Sequence, residues 1–210
     1  MKKLLICIVI FLGCHAGFAQ NEFETVYYRV GGGLALGGMQ SQSNDDDAIS
    51  SEGSDKGFTV FAERGVKFVE HRPCYLLVGL KYTQVKASYY VPYAWWSENC
   101  TEKLGCLSVP VAVTYKIGKS RINVEPYAGL NFSYYTLGEV KSSSSRIQIN
   151  IFETDDVHGK RFQIGGILGA YFNFNPVFIG FRYSPYFTNF YNKSHTHTSF
   201  IDISAGFNLK

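Results

Sequence analysis

Long stretches of this chain alternate between apolar and polar residues, and this alternation constrains the fold more than any other feature. In residues 107–117 the odd-numbered side chains are Leu, Val, Val, Val, Tyr and Ile, while the even-numbered ones are polar, small or Pro. Successive side chains of a β-strand point to opposite faces, so this stretch predicts a strand with one apolar face. Residues 199–209 show the same pattern.

The alternation recurs eight times after Asn21. The apolar faces are long and aromatic, and the chain has 15 Tyr and 17 Phe. Tyr and Trp favour the boundary between water and lipid, where membrane barrels carry aromatic girdles. We expect strands at about residues 25–39, 57–69, 75–86, 106–117, 121–137, 161–174, 177–188 and 198–209.

Short and long connections between these strands alternate without exception. The short ones, which contain Gly, Pro or Asn, are 70–73, 118–120 and 175–176; the long polar ones are 40–56, 87–105, 138–160 and 189–197. Outer-membrane barrels have short periplasmic turns and longer external loops. The pattern therefore predicts an eight-stranded antiparallel up-and-down transmembrane β-barrel with the N- and C-termini in the periplasm.

The first twenty residues have the pattern of an export signal. A basic start at Lys2 and Lys3 precedes an apolar core, and small residues stand at the −3 and −1 positions before Gln20. We expect cleavage of residues 1–20, with lipoprotein processing at Cys14 as the alternative. Residues 21–210 then form one barrel domain with 18 basic and 17 acidic residues, a balance that argues against a nucleic-acid partner.

Several strands also resemble a known protein family. The pattern of 107–117, the Pro-Tyr-Ala-Gly-Leu of 126–130 and the Gly-rich 162–170 resemble consecutive strands of outer-membrane β-barrel proteins from Bacteroidota, often called PorT-like. Residues 181–184 and 203–207 resemble the closing strands. The resemblance implies a barrel in the outer membrane of a Gram-negative bacterium, in contact with its lipid. Some PorT-like members serve protein secretion, so it also implies a role in envelope or secretion support.

The polar faces of the strands carry charged residues that would point into the barrel. An eight-stranded barrel is only wide enough for side chains to fill, and buried charges need partners. We therefore expect a salt-bridged plug, with a proton or ion path as the alternative. In this network Lys116 and Glu125 take part, and Arg182 pairs with Asp202 on the neighbouring strand. The charges predicted to face inward are Arg29, Glu63, Lys67, Lys81, Lys116, Glu125, Arg161, Arg182 and Asp202.

Three cysteines remain after signal cleavage, in a compartment where disulfides persist. Cys100 and Cys106 flank the end of the second predicted loop, so we expect a disulfide between them. Cys74 lies beside a predicted periplasmic turn, a membrane thickness away, and we expect it to be free.

Two of the predicted loops contain candidate binding residues. Asp45, Asp46 and Asp47 are a possible Ca²⁺ cluster, although they lack the ligand spacing of a defined calcium loop and a solvated acidic tip is the simpler interpretation. In the second loop, Tyr93, Trp95 and Trp96 offer aromatic contact to a protein or glycan, or belong to the membrane girdle of the third strand.

The function that these features favour is non-enzymatic and requires no cofactor. We expect a compact surface barrel that binds an extracellular or envelope protein or a glycan through loops 40–56 and 87–105, or that supports envelope or secretion machinery. The alternative is an outer-membrane hydrolase of lipid or peptide, with His195, His197, Asp155 and Asp156 at the external rim. No nucleophile motif accompanies those four residues.

Overall fold

The computed structural model describes residues 24–41, 56–92, 97–118, 121–142, 148–153, 159–190 and 196–209. The strands in these ranges are β1 (Val26–Ser41), β2 (Lys56–Lys67), β3 (Cys74–Pro92), β4 (Ser97–Tyr115), β5 (Ile117–Gly118), β6 (Ile122–Ser142), β7 (Gln148–Asn150), β8 (Phe162–Phe174), β9 (Val177–Pro185) and β10 (Thr196–Leu209). Within the described ranges no helix has the length and apolar character needed to cross a membrane.

Eight long strands form a sheet that closes on itself. The order is β4-β3-β2-β1-β10-β9-β8-β6, and β4 also pairs with β6, so each long strand lies between two antiparallel neighbours. The short β5 and β7 only add pairings to β6. Neighbours in the sheet follow the order of the chain, with β1 and β10 joined at the closure. The predicted eight-stranded antiparallel up-and-down barrel is confirmed.

The two faces of the barrel are inverted relative to a water-soluble protein. On β9, Ile179 and Phe181 are 51% and 45% exposed on the outside, whereas Arg182 is 3% exposed inside. Large apolar side chains cover the outer surface on all eight strands, while charged and amide side chains are buried. An apolar outer band around a polar interior is the arrangement of barrels that span a membrane.

The two ends of the barrel differ in their connections. The turn end holds the first residue of β1, the last residue of β10 and the connections 68–73, 116–121 and 175–176. The loop end holds the connections 42–55, 93–96, 143–161 and 186–195. In the turn after β4, Gly118 has a φ of 121°, a left-handed conformation that favours glycine.

The expected long loop at 87–105 is wrong. β3 continues to Pro92 and β4 begins at Ser97, and the two strands remain paired to the Pro92–Ser97 rung, which leaves residues 93–96 as the connection. β6 also runs beyond its expected end, to Ser142. The loop prediction failed because it took polar composition as a sign of irregular structure. The strands continue because the backbone hydrogen bonds of these residues are satisfied across the β3–β4 ladder, whatever the polarity of their side chains.

Candidate functional site

Among the described residues, the interior of the barrel contains three ion pairs, and each crosses the lumen. Arg29 on β1 donates to Glu125 on β6 at 2.9 Å, and these strands are diametrically opposite in the ring of eight. Lys81 on β3 donates to Asp202 on β10 at 2.7 Å, and Arg182 on β9 pairs with Glu63 on β2. All six side chains are buried. The pairs therefore brace opposite walls of the barrel.

The predicted pairing of Arg182 with Asp202 is wrong, although both residues lie in the lumen as expected. They are directly opposite in the β9–β10 register. Directly paired positions in adjacent strands lie close enough for an ion pair, so the register alone does not decide which partner each charge takes. Each long cation instead reaches an acid three strands away round the ring, so Arg182 of β9 pairs with Glu63 of β2 and Lys81 of β3 pairs with Asp202 of β10.

Tyrosine and amide groups add further hydrogen bonds to Arg29, Glu63 and Glu125, whereas Arg29 Nη1 and Asp202 Oδ1 are buried without a hydrogen-bond partner among the described residues. Tyr171 donates to Glu63 at 2.7 Å, and Tyr27 donates to Glu125. The guanidinium carbon of Arg29 lies 3.8 Å from the centre of the Tyr171 ring. Asn173 accepts a hydrogen bond from Arg29 at 3.1 Å. Charged and aromatic groups are thus interleaved, which stabilises cations where the surroundings are poorly polarisable.

The other cations predicted for the lumen lie at its two ends. Lys116, in the connection between β4 and β5, places its ammonium 3.5 Å from the centre of the Tyr27 ring. Burial lowers the pKa of Lys116 to about 8, and the carboxylate of Glu125 opposes this shift. Lys67 is half-buried at the turn end. Arg161 lies at the loop end, where it is 3.8 Å from Glu153.

An apolar cluster fills the lumen at the loop end. Ile151 and Phe152, which follow β7, and Phe190, which follows β9, are buried among inward-facing side chains of the strands. Tyr135 packs edge-on against Phe190, with ring centres 5.0 Å apart. Tyr135 also hydrogen-bonds Thr198 at 2.9 Å. Side chains therefore fill the interior both at the level of the ion pairs and at this end.

The predicted disulfide between Cys100 and Cys106 is wrong. Both cysteines lie on β4, and the structure has no bond between them. Six residues of extended strand span about 20 Å, far beyond the separation that a disulfide allows. Cys106 is instead a buried thiol near Ser108, at 3.8 Å. Cys74 begins β3 beside the short turn and is free, as predicted.

The structure describes only one of the four residues proposed for a hydrolase. His197 lies at the start of β10, paired with Gln40 of β1, and its buried Nδ1 has no hydrogen-bond partner among the described residues. His195, Asp155 and Asp156 lie outside the described residues, as do Asp45, Asp46, Asp47, Tyr93, Trp95 and Trp96. In the ranges that the structure covers, no three His, Cys, Asp or Glu side chains gather as metal ligands do.

A three-stranded extension at the loop end was not expected from the sequence. A β-bulge at Gly105/Cys106 shifts the register between β4 and β6, and beyond it β4 still pairs with both β3 and β6. We call the paired residues 84–92, 97–105 and 137–142 the extension. From Leu107 to Ser97 β4 continues for ten residues, about 33 Å of strand. This sheet therefore projects past the lipid-facing band.

Comparison with known proteins identifies the family. A family model described as an outer membrane protein beta-barrel domain matches residues 18–192. The chain belongs to this family. None of the curated protein sequences matches it.

Outer-membrane barrels of low sequence identity are among the solved structures to which this chain is similar. Ail, the attachment invasion locus protein of Yersinia pestis, is 11% identical with a TM-score of 0.51, over 89% of this chain and all of that one. Neisserial surface protein A, NspA, is 16% identical with a TM-score of 0.47, over 89% of this chain and 99% of that one. At 11% identity the likeness to Ail concerns the fold alone.

Proposed function

We propose that this protein is a non-enzymatic barrel of the Gram-negative outer membrane, whose loop end faces outwards and binds an extracellular or envelope protein or a glycan. The extension is the observation that carries this proposal. Three strands stay paired beyond the lipid-facing rows, where a barrel that served only as a membrane plug would need none. The extension presents hydrogen-bonded backbone beyond the membrane, and the sequence places the aromatic residues of 93–96 directly between its two longest strands.

The filled interior supports a role outside the lumen. Three crossing ion pairs and the apolar cluster of Tyr135, Phe152 and Phe190 occupy the space through which a solute would pass. An eight-stranded barrel has no further room for a diffusive pathway. The filled interior thus supports the loop end as the proposed binding surface; the periplasmic position of the termini belongs to the same proposal.

The resemblance of strands 107–117 and 126–130 to PorT-like proteins supports envelope or secretion support as the process. In that case the partner is an envelope protein rather than an extracellular protein. The two versions of the proposal differ in which class of partner is lost when the extension is shortened.

The experiment replaces residues 90–99 with Asn-Gly. Tyr89 and Cys100 are directly paired, so a two-residue hairpin turn closes the shortened strands without changing their register. Cells displaying the native or the shortened barrel are tested against arrays of glycans, extracellular proteins and envelope proteins. We expect the native barrel to bind at least one class and the shortened barrel to lose it, while heat-dependent gel migration stays unchanged.

Two controls separate this proposal from its alternatives. The His195→Ala/His197→Ala variant should bind as the native barrel does; hydrolysis of lipid or peptide by the native protein that disappears in this variant would establish the enzyme instead. A tag inserted in residues 42–55 should be accessible on intact cells, and a protected tag would reverse the orientation. Stepwise conductance in planar bilayers would contradict the conclusion that side chains fill the lumen.

A further inference from the structure

Lysines of three neighbouring strands stand directly opposite one another near the loop end. Lys56 of β2 pairs with Lys86 of β3, and Lys86 pairs with Lys103 of β4. Lys103 pairs in turn with Glu139 of β6. We call Lys56, Lys86 and Lys103 the lysine row. Like charges directly opposite in a sheet repel each other, so the row lowers the stability of the empty barrel.

The charge of the lysine row is not balanced within the described residues. No described carboxylate forms an ion pair with any of the three ammonium groups, and Glu139 at the end of the row is a single acid. A fourth lysine, Lys141, lies beside Thr101 on the next rung. This side of the sheet is concave, with a cavity of about 370 Å³ lined by Lys86, Thr101, Lys103, Glu139, Lys141 and Ser142.

The lysine row lies on the outer face of the barrel, just beyond the lipid-facing rows. Lys56 is two residues past Phe58, which is 45% exposed. Lys103 is four residues past Leu107 on the same face, about 13 Å along the strand. The exposed Tyr134, paired with Leu107, marks the aromatic boundary. The ammonium groups therefore lie laterally against the headgroup layer.

From this placement we propose that the lysine row and the adjoining cavity bind the phosphate-bearing headgroup of a membrane lipid. A phosphate accepts charge-assisted hydrogen bonds from several ammonium groups at once, which would offset the repulsion along the row. Lysine is suited to this because its ammonium acts as a compact point charge. Thr101 and Ser142 complete the lining of the same cavity.

A lipid is the source of phosphate that the geometry favours. The row faces sideways, in continuation of the lipid-facing surface, so lipid headgroups are its permanent neighbours. The inference does not depend on which way the barrel is inserted, because both leaflets present lipid phosphates. A failure of the orientation or of the loop partner in the preceding proposal would leave it intact.

The test measures lipid selectivity with spin-labelled lipids in vesicles of phosphatidylcholine that contain the full barrel. The probes are spin-labelled phosphatidic acid and spin-labelled phosphatidylcholine. We expect the native barrel to immobilise phosphatidic acid preferentially. A lysine near a membrane surface contributes about fivefold in affinity for anionic lipid, so Lys56→Gln/Lys86→Gln/Lys103→Gln should reduce the preference by well over tenfold.

Matched variants distinguish a site from general electrostatic attraction. Arg64→Gln/Arg121→Gln/Lys160→Gln removes the same charge from exposed positions elsewhere and should keep most of the preference. Lys56→Arg/Lys86→Arg/Lys103→Arg should retain it. An equal loss in the Arg64, Arg121 and Lys160 variant, or no preference in the native barrel, would overturn the proposal. If dilute inorganic phosphate displaced the labelled lipid, the ligand of the site would be a free phosphate anion rather than a lipid.

Discussion

At the scale of single residues, the barrel is held by groups whose partners lie on distant strands. Glu63 accepts from Tyr171 and pairs with Arg182, so one carboxylate connects β2 with β8 and β9. Glu125 has a similar position between Arg29, Tyr27 and Thr114. Removing one member of such a buried pair leaves an uncompensated charge, which is the costly change.

A double-mutant cycle tests the pairing of Arg182. Arg182→Met or Glu63→Gln alone should each lower the free energy of unfolding by about 3–5 kcal/mol, since the remaining charge is buried without its partner. Combined, the two should show a coupling of about 1–3 kcal/mol in urea unfolding from detergent micelles. The cycle of Arg182→Met with Asp202→Asn should show a smaller coupling. A larger coupling energy with Asp202 than with Glu63 would show that Arg182 pairs with Asp202 on the neighbouring strand.

Lys116 should give the barrel a pH dependence in the alkaline range. Its pKa in the folded barrel is about 8 and its ordinary value is 10.5, so between these values the unfolded chain binds more protons. The contribution of Lys116 to stability should therefore rise with pH from about 8 towards 10.5. Urea midpoints of the native barrel and Lys116→Met, compared from pH 7 to 9.5, check this. As the pH rises, the urea midpoint of the native barrel should increase relative to that of Lys116→Met. A constant difference between the two midpoints would contradict this prediction.

At the scale of strands, the closure between β1 and β10 depends on a close approach of two backbones. A Cβ built on Gly33 of β1 would overlap the backbone carbonyl of Ile203, which lies in the paired strand β10. Gly32, on the lipid side, has more room, since the nearest atom to its Cβ would be the Thr59 carbonyl oxygen at 3.1 Å. The absence of a side chain at Gly33 thus allows the backbones of β1 and β10 to approach closely on the inner face.

Substituting Gly33 and Gly32 one at a time should show that the inner face tolerates an added carbon less well than the outer face. Gly33→Ala should force β1 and β10 apart and reduce the fraction of heat-modifiable barrel after refolding, because the clash is with backbone that cannot rotate away. Gly32→Ala, the matched control, should cause a much smaller loss. Densitometry of unboiled gels measures both fractions. Equal refolding of the two variants would show that the closure tolerates the added carbon.

At the scale of the whole molecule, a closed sheet with a filled interior should behave as one resistant unit. Among the described residues, every long strand of the ring is paired on both sides below the extension, so detergent finds no free edge at which to open the barrel. The protein should fractionate with the outer membrane and migrate faster unboiled than boiled. A single heat-independent band in the soluble periplasmic fraction would contradict a membrane barrel and reverse the lipid-facing assignments.

The sequence by itself determined the strands, their inner and outer faces and the barrel class. Alternation with a period of two is local, and eight such stretches joined by short turns leave few ways to bury an apolar outer face. The inward position of Arg29, Glu63, Glu125 and Arg182 followed from the same parity. These features require no knowledge of which strand lies across the lumen.

Only the tertiary structure decided which charges pair and where the strands end. Arg182 meets Glu63 rather than the directly opposed Asp202 because partners in the lumen are set by the diameter and stagger of the closed ring. β3 and β4 extend to Pro92 and Ser97, with Cys100 and Cys106 separated along one strand, because cross-strand hydrogen bonds outweigh polar composition. The lysine row likewise depends on register: Lys56, Lys86 and Lys103 are far apart in the chain, and strand pairing alone brings them together.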